Sequence, residues 1–447
     1  MSFRTFLKSL ENRGDLIKVN ERISPKFEIA YVMSRLADGP ALIFESVEGF
    51  KNEVAGNVVS TRRRVYAALN VSNSTLYKTM IEAYRDPVYP KIVDDGPVME
   101  NVREPNLLEI PVLTHYERDA GPYITAAVVA ARSLDGRIEN VSIHRLLVLD
   151  KNHLAIRLVP RHLHKLWETA KNEGYDLDVG IAIGVHPAVM LAAASSPPFG
   201  VSEFGIANKL LKGNLKLLKC KSVEAYVPYD AELVLEGKIL RDKEVPEGPL
   251  VDMTGTYDVQ RMQPVIEVTR IMHRNNYIYQ ALLPGGPEHR LLMGLPREVA
   301  IYESVSKVVP TVKAVNLSEG GCGWLHAVIS IEKQTDGDAK NAILAAFAAH
   351  GSLKHVIVVD SDIDVYEPKS VEWALATRFQ ADEDLIIIRN VRGSTLDPSA
   401  DQQSGLTTKL GVDATMPLSK PKGGFEKAQI PPTERAEKII ESLKQSS

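Results

Sequence analysis

The sequence predicts a protein of α/β and β class in three parts: an N-terminal α/β domain, a largely antiparallel barrel with helical insertions, and a C-terminal α/β domain. Two observations predict it: helix and strand patterns alternate at both ends, and hairpin signals crowd the middle. A chain of 447 residues is also long for one core. The expected boundaries are 1–110, 111–300 and 301–447.

In the first part Ser2 can cap a helix whose Phe3, Phe6, Leu7 and Leu10 share one face. Gly14 ends it, and Leu16 to Val19 reads as a strand. Ser24, with Pro25 in the first turn, is expected to open a second helix running through Leu36. Gly39-Pro40 stops it before a strand from Ala41 to Glu45. Helical patterns follow at Val65 to Leu69 and Thr75 to Tyr84, and Pro87 to Pro111 reads as a connection. The run Arg62-Arg63-Arg64 reads most simply as a solvated helix start.

The middle opens on Ile124 to Arg132 and Val141 to Leu149, joined by the turn Asp135-Gly136. Leu154 to Val159 can add a third strand, and helices are expected at Leu163 to Asn172, Pro187 to Ala194 and Glu203 to Leu211. Strands return at Ala231 to Leu240, Pro264 to His273 and Tyr277 to Leu283, the last two joined through Asn275-Asn276. Strand and helix then alternate: Ala327 to Ile331, Ala339 to Ala349, Val356 to Val359, Val371 to Thr377 and Leu385 to Arg389. Thr433 can cap a last helix reaching Leu443.

Composition narrows the function classes. The apolar fraction is 44% and the charged fraction 25%, and the net charge of −4 offers no bulk field for nucleic acid. Cys220 and Cys322 are too few for a disulfide framework or a thiolate metal site. No apolar run reaches the ~20 residues of a membrane span, and the first residues lack a signal-peptide core. A soluble cytoplasmic protein is the expectation.

Several residues could carry chemistry. Strand alternation puts Asn140 and His144 on one face and Arg145 on the other. An arginine in so apolar a strand needs an anionic partner if buried, although a solvent-facing one would not. Glu247 and Asp252 occupy a Gly/Pro-shaped loop where two carboxylates can share one cation, the usual way acid and base roles are separated. Turn chemistry is the simpler reading of Asp252 alone. Glu203, after Ser202 at a helix start, suits the helix dipole. Asp360, Asp362 and Asp364 lack the glycine and terminal glutamate of a calcium loop.

Taken in order, these blocks resemble the UbiD family of prenylated-flavin-dependent decarboxylases over nearly the whole chain. The resemblance rests on Gly121-Pro122-Tyr123-Ile124-Thr125, Asn140-Val141-Ser142-Ile143-His144-Arg145, Ser202-Glu203-Phe204, Ala231 to Gly237, Glu247 to Gly255, Val358 to Asp364 and Ser404 to Thr415. It implies that the barrel is a flavin-binding split β-barrel and that the C-terminal domain contacts a neighbouring subunit in a dimer or hexamer. It implies prenylated FMN made by a separate flavin prenyltransferase, and Mn2+, with K+ as a companion ion, held by Asn140, Glu203 and His162. Ile143, His144, Arg145, Arg157, Leu158, Val159, Arg161, His162 and Lys409 would border the flavin. Arg145, Glu247 and Asp252 match the catalytic set, with Asp252 as the acid that protonates the carbon left by carbon dioxide.

Within the family, the compact length and His144 in place of a tyrosine point toward the archaeal branch acting on trans-anhydromevalonate 5-phosphate. Arg161, His162 and Lys165 are then candidate phosphate contacts. A decarboxylase of 4-hydroxybenzoate-type or other aromatic acids is the alternative. A non-catalytic flavin-binding assembly protein and an ordinary flavin oxidoreductase are alternatives of other classes.

Overall fold

The computed structural model describes residues 2–445 apart from Glu426 and Gln429. The Ser2 hydroxyl accepts the Thr5 N–H at 3.2 Å while the Thr5 hydroxyl takes the Ser2 N–H, a reciprocal cap that starts α1 (Phe3–Glu11). Strands β1 (Leu16–Val19), β2 (Ala41–Phe44) and β3 (Val54–Gly56) form a sheet in that order. Helices α2 (Glu28–Arg35), α3 (Arg62–Leu69) and α4 (Asn73–Arg85) complete this part.

Two expectations are corrected here. Helix α2 starts at Glu28, not after Ser24, because Lys26 bridges to Thr114 and the Phe27 N–H donates to the Thr114 carbonyl at 2.9 Å. The Arg62 to Arg64 run is not a solvated face. Arg64 is 1% exposed, with its guanidinium on Asp15, Ser60 and the Val58, Gly39 and Asn57 carbonyls. Arg62 pairs with the buried Glu298, and only Arg63 reaches out to Asp15 from solvent.

Six antiparallel strands close a barrel: β4 (Tyr123–Arg132), β5 (Glu139–Val148), β6 (His153–Ile156), β7 (Leu177–Ile183), β8 (Leu233–Glu247) and β9 (Arg261–His273). The order is β8-β7-β4-β5-β6-β9, and β8 pairs again with β9 to shut the ring. Helices α5 (His162–Asn172), α6 (Pro187–Ser195) and α7 (Glu203–Leu210) are the insertions. The Pro87 to Pro111 connection carries short strands, one of which, Asn101–Arg103, pairs with the end of β9.

The pairing expected through Asn275-Asn276 does not form. Arg4 binds the Asn275 and Asn276 carbonyls at 2.9 Å each, and also the buried Glu232. This turns the chain away from the barrel, and the strand Tyr279–Gln280 pairs in parallel with β3 as the fourth member of the N-terminal sheet.

Helix α8 (Pro287–Ser306) leads into a five-stranded sheet of β10 (Val312–Leu317), β11 (His326–Ile331), β12 (His355–Asp360), β13 (Leu385–Arg392) and β14 (Leu406–Ala414). Its order is β10-β11-β12-β14-β13, parallel in the middle and antiparallel at both edges. Helices α9 (Asp338–Ala349) and α10 (Pro368–Arg378) flank it. Arg378 takes up Asp360 and Asp362, at 2.7 and 2.6 Å. The last helix, α11 (Glu434–Gln445), has the Thr433 hydroxyl accepting the Ala436 N–H at 3.3 Å. Among the described residues no helix is long and apolar enough to cross a membrane.

Candidate active site

Strand β5 sends Arg145 toward the long excursion between β8 and β9. Its Nε and Nη2 donate to the two oxygens of Glu247 at 2.9 and 3.0 Å, a bidentate bond to the last residue of β8. Glu247 has no exposure, and it also accepts the Tyr123 hydroxyl at 3.0 Å. Asp252 comes from the loop beyond, its Oδ2 3.6 Å from Arg145 Nη1 and its side chain 25% exposed. Burial alone would lower the pKa of Arg145, but Glu247, Asp258 and Asp252 together raise it, so the guanidinium stays charged.

Asp258 is the member that sequence reasoning missed. Its Oδ2 lies 3.1 Å from Arg145 Nη2 and 3.5 Å from Arg157 Nε, and its Oδ1 2.5 Å from Arg261 Nη1. Burial would raise Asp258, yet Arg261, Arg145 and Arg157 hold it below the ordinary carboxylate range. Three arginines therefore meet three carboxylates. The short strands Leu250–Val251 and Tyr257–Asp258 pair with each other, which brings Asp258 back beside the loop holding Asp252. The Asp258/Arg261 spacing of three was the only sequence signal available.

The same loop is fastened to α8. Arg290 Nε donates to the Met253 carbonyl at 3.1 Å, and His289 Nδ1 accepts the Gly285 N–H at 3.1 Å. Burial pushes His289 down, against the pull of the nearby Asp252.

The expected metal residues are brought together in part. Glu203, 2% exposed, accepts Asn140 Nδ2 at 2.9 Å and the Val141 N–H at 3.0 Å. Burial pushes it up to about 7 against those donors, with Glu139 acting in the same direction as burial. A buried carboxylate beside the Asn140 amide, with no cationic side chain bonded to it among the described residues, fits a hard divalent cation. Among the described residues no three His, Cys, Asp or Glu gather as a metal cage. His162 opens α5 with its ring edge-on to Phe199 at 5.2 Å, and no bond joins it to Glu203.

The expected flavin neighbours divide similarly. The His144 ring is held between the Ser142 hydroxyl at 2.9 Å and the Arg157 carbonyl at 3.0 Å, and burial pushes it down to about 4, so it is neutral at pH 7. Leu158 is buried and its N–H donates to Gln263, whereas Ile143 is half-buried and Val159 is 38% exposed. Two apolar side chains left partly open beside a buried charged set suit a flat ring system. Arg161 is at the N-cap of α5. Lys409, on β14, instead donates to the Gly351 carbonyl at 2.7 Å, and no bond links it to Asn140 or Glu203.

Residues 7–84, 91–287 and 290–414 match the N-terminal, Rift-related and C-terminal domains of 3-octaprenyl-4-hydroxybenzoate carboxy-lyase. The chain is 44% identical over 416 residues to the anhydromevalonate phosphate decarboxylase of Methanothermobacter thermautotrophicus, covering 93% of this chain and 97% of that one. Its structure resembles the UbiD-class enzyme HmfF of Pelotomaculum thermopropionicum in complex with FMN, at a TM-score of 0.95 and 41% identity over 97% and 98% of the two chains. An evolved dimeric form of HmfF in complex with prFMN follows at 0.90 and 40%, over 96% and 97%. The barrel, the three-carboxylate arginine site within it and these whole-length likenesses agree that the chain belongs to the UbiD family and is a carboxy-lyase.

Proposed function

We propose that the protein decarboxylates trans-anhydromevalonate 5-phosphate with prenylated FMN, releasing 3-methylbut-3-enyl phosphate for isoprenoid precursor synthesis in the cytoplasm. One observation carries the assignment of roles. Glu247 is wholly buried with both oxygens bonded, while Asp252, 3.6 Å from the same arginine, keeps a quarter of its side chain open. Asp252 is the most open of the three carboxylates on Arg145 and the most loosely held, so it can meet a substrate carbon and reload its proton from water. Glu247 and Asp258 hold Arg145 in place and charged.

When bound, prenylated FMN supplies the sink for the electron pair left as the carbon–carboxylate bond breaks. The protein's own part is then narrow. Asp252 gives its proton to the carbon that lost the carboxylate, and Arg145 orients the acid. Ile143, His144, Arg157, Leu158, Val159 and Arg161 wall the flavin, His144 as a neutral polar edge. Asn140, Glu203 and His162 would hold Mn2+, with K+ as a companion ion, and Lys409 would serve the cofactor phosphate, as the family resemblance implies. A separate flavin prenyltransferase supplies the cofactor. The exposed Ile439, Ile440 and Leu443 of α11 support a homo-oligomer, a dimer or hexamer.

The choice of substrate is supported by the name of the 44% identical archaeal relative. The test is to load the protein with prenylated FMN and Mn2+ and offer the phosphorylated acid beside 4-hydroxybenzoate-type acids. Carbon dioxide release from the phosphorylated acid is expected; release from an aromatic acid alone would reject the substrate and keep the reaction.

A further inference from the structure

Among the described residues, five arginines carry a buried side-chain nitrogen with no hydrogen-bond partner: Arg62, Arg132, Arg274, Arg297 and Arg378. Four of them are bonded through another nitrogen, Arg62 to Glu298, Arg132 to the Gly136 carbonyl, Arg274 to Glu232 and Arg378 to Asp360 and Asp362. Arg297 is the exception. Among the described residues its guanidinium meets no carboxylate and no carbonyl, and its neighbour Glu298 is committed to Arg62 and the Leu317 N–H. A cation in that state is costly unless something anionic completes it.

Its place in the fold says what that anion belongs to. Arg290, fastened to the Met253 carbonyl beside Asp252, and Arg297 are seven residues apart on α8, so they share a face two turns apart, about 10 Å along the axis. The turn before β11 packs on this face: a Cβ on Gly294 would lie 2.6 Å from the Gly323 carbonyl oxygen, and one on Gly323 would lie 2.9 Å from Arg290 Cβ. That close approach sets the Trp324 ring 5.5 Å from the Arg297 guanidinium. The Trp324 Nε1 and the Tyr84 hydroxyl are also buried without a partner. The positive charge of Arg161, which among the described residues has no ion pair or side-chain hydrogen bond either, acts on Arg297; burial first and then Arg161 push Arg297 down to about 10.

We infer that Arg297, with Arg161 acting beside it, receives the phosphate monoester of the substrate and thereby selects a phosphorylated aliphatic acid over an aromatic one. This rests on the decarboxylase reading and deepens it. Two unpaired guanidinium groups suit a dianion, and a planar fork suits phosphate oxygens. Arg297 lies two helical turns along α8 from Arg290, the residue that fastens the Asp252 loop, so one helix carries both the anchor of the acid and the unpaired guanidinium. The flavin phosphate is the other source of the same chemistry, and the experiment separates the two.

Arg297→Met, Arg297→Lys and wild type are loaded with prenylated FMN and assayed on trans-anhydromevalonate 5-phosphate and on its dephosphorylated form. Loss of a charged hydrogen-bonding partner should raise KM for the phosphorylated acid about 10- to 100-fold in Arg297→Met, with kcat and bound flavin little changed. Arg297→Lys should recover part of that loss, and KM for the dephosphorylated acid should not move. An unchanged KM, or an equal rise for both acids, overturns the inference; so does loss of flavin from the variant, which would assign Arg297 to the cofactor phosphate. If wild type fails to turn over the phosphorylated acid, the substrate reading falls by itself. The phosphate receptor is then judged by calorimetry with 3-methylbutyl phosphate, where binding by wild type but not Arg297→Met upholds it and equal binding overturns it.

Discussion

Replacing Asp252 by asparagine should remove turnover and leave the site standing. The structure sets both magnitudes. Asp252 Oδ1 accepts the Met253 N–H at 2.7 Å, a bond that the asparagine carbonyl can keep. Arg145 retains two bonds to Glu247 and one to Asp258, at 2.9, 3.0 and 3.1 Å. What it loses is a 3.6 Å approach to a partly open carboxylate, a contact worth no more than about 1 kcal/mol. The fold and the flavin content should therefore be those of the wild type. The lost proton donor matters far more, since a positioned general acid contributes roughly 10^2- to 10^4-fold. We expect kcat to fall by about that factor, read as carbon dioxide release by protein with matched flavin absorbance. In D2O the wild type should also place deuterium on the decarboxylated carbon, and the variant should do so only as slowly as it turns over. A kcat within about threefold of wild type on matched holo-protein would refute the assignment, because Glu247 is wholly buried and Asp258 is held by three arginines, so neither can replace it.

Other expectations follow from the same contacts. Glu247→Gln should lower stability by about 2 kcal/mol, less than the usual loss of a buried pair because Asp258 and Asp252 still flank Arg145; an unchanged urea midpoint would argue that Glu247 does not hold the arginine. Asp258→Asn releases Arg157 and Arg261 and leaves Arg145 less fixed, so kcat/KM should drop about tenfold at constant flavin content; an unaltered kcat/KM would make Asp258 a bystander. In metal-free protein, Glu203 at about 7 against an ordinary 4.5 makes the folded state bind the proton more tightly, so stability is fullest below pH 4.5 and is lost as pH rises to 7. The loss is about 3 kcal/mol relative to Glu203→Gln, and Mn2+ should restore it at pH 8 and not at pH 5. Melting temperatures that Mn2+ raises equally at both pH values would contradict this.

Most of the architecture was legible because it rests on local signals. The Asp135-Gly136 hairpin, the helix starts near Ser2, Ser202 and Thr433, and the alternation of the last domain are each decided by a few neighbouring residues. The errors arose where a distant residue decides. Thr114 delays α2, and Arg4 diverts the chain at Asn275-Asn276 so that Tyr279 joins a sheet formed more than two hundred residues earlier. The site shows the same division. Glu247 and Asp252 stood out in a shaped loop, but Asp258 follows a tyrosine in an unremarkable turn and gains its role only when the strands Leu250–Val251 and Tyr257–Asp258 fold it back onto Arg145.

The arginines make the general point, because burial alone does not tell a structural one from a working one. Arg64 is the most buried of them, and its five bonds to side chains and carbonyls leave nothing to offer a ligand. Arg378 is likewise spent on Asp360 and Asp362. Arg145 carries more negative charge than it needs, and one of its three carboxylates is held loosely and open, which is the state a proton donor requires. Arg297 carries none, which is the state an anion receptor requires. Partner count therefore separates the four where sequence type and exposure do not. The two arginines proposed to work are also tied to the same excursion: Arg145 meets the carboxylates of the β8–β9 segment, and Arg297 lies two helical turns beyond the residue that fastens that segment to α8.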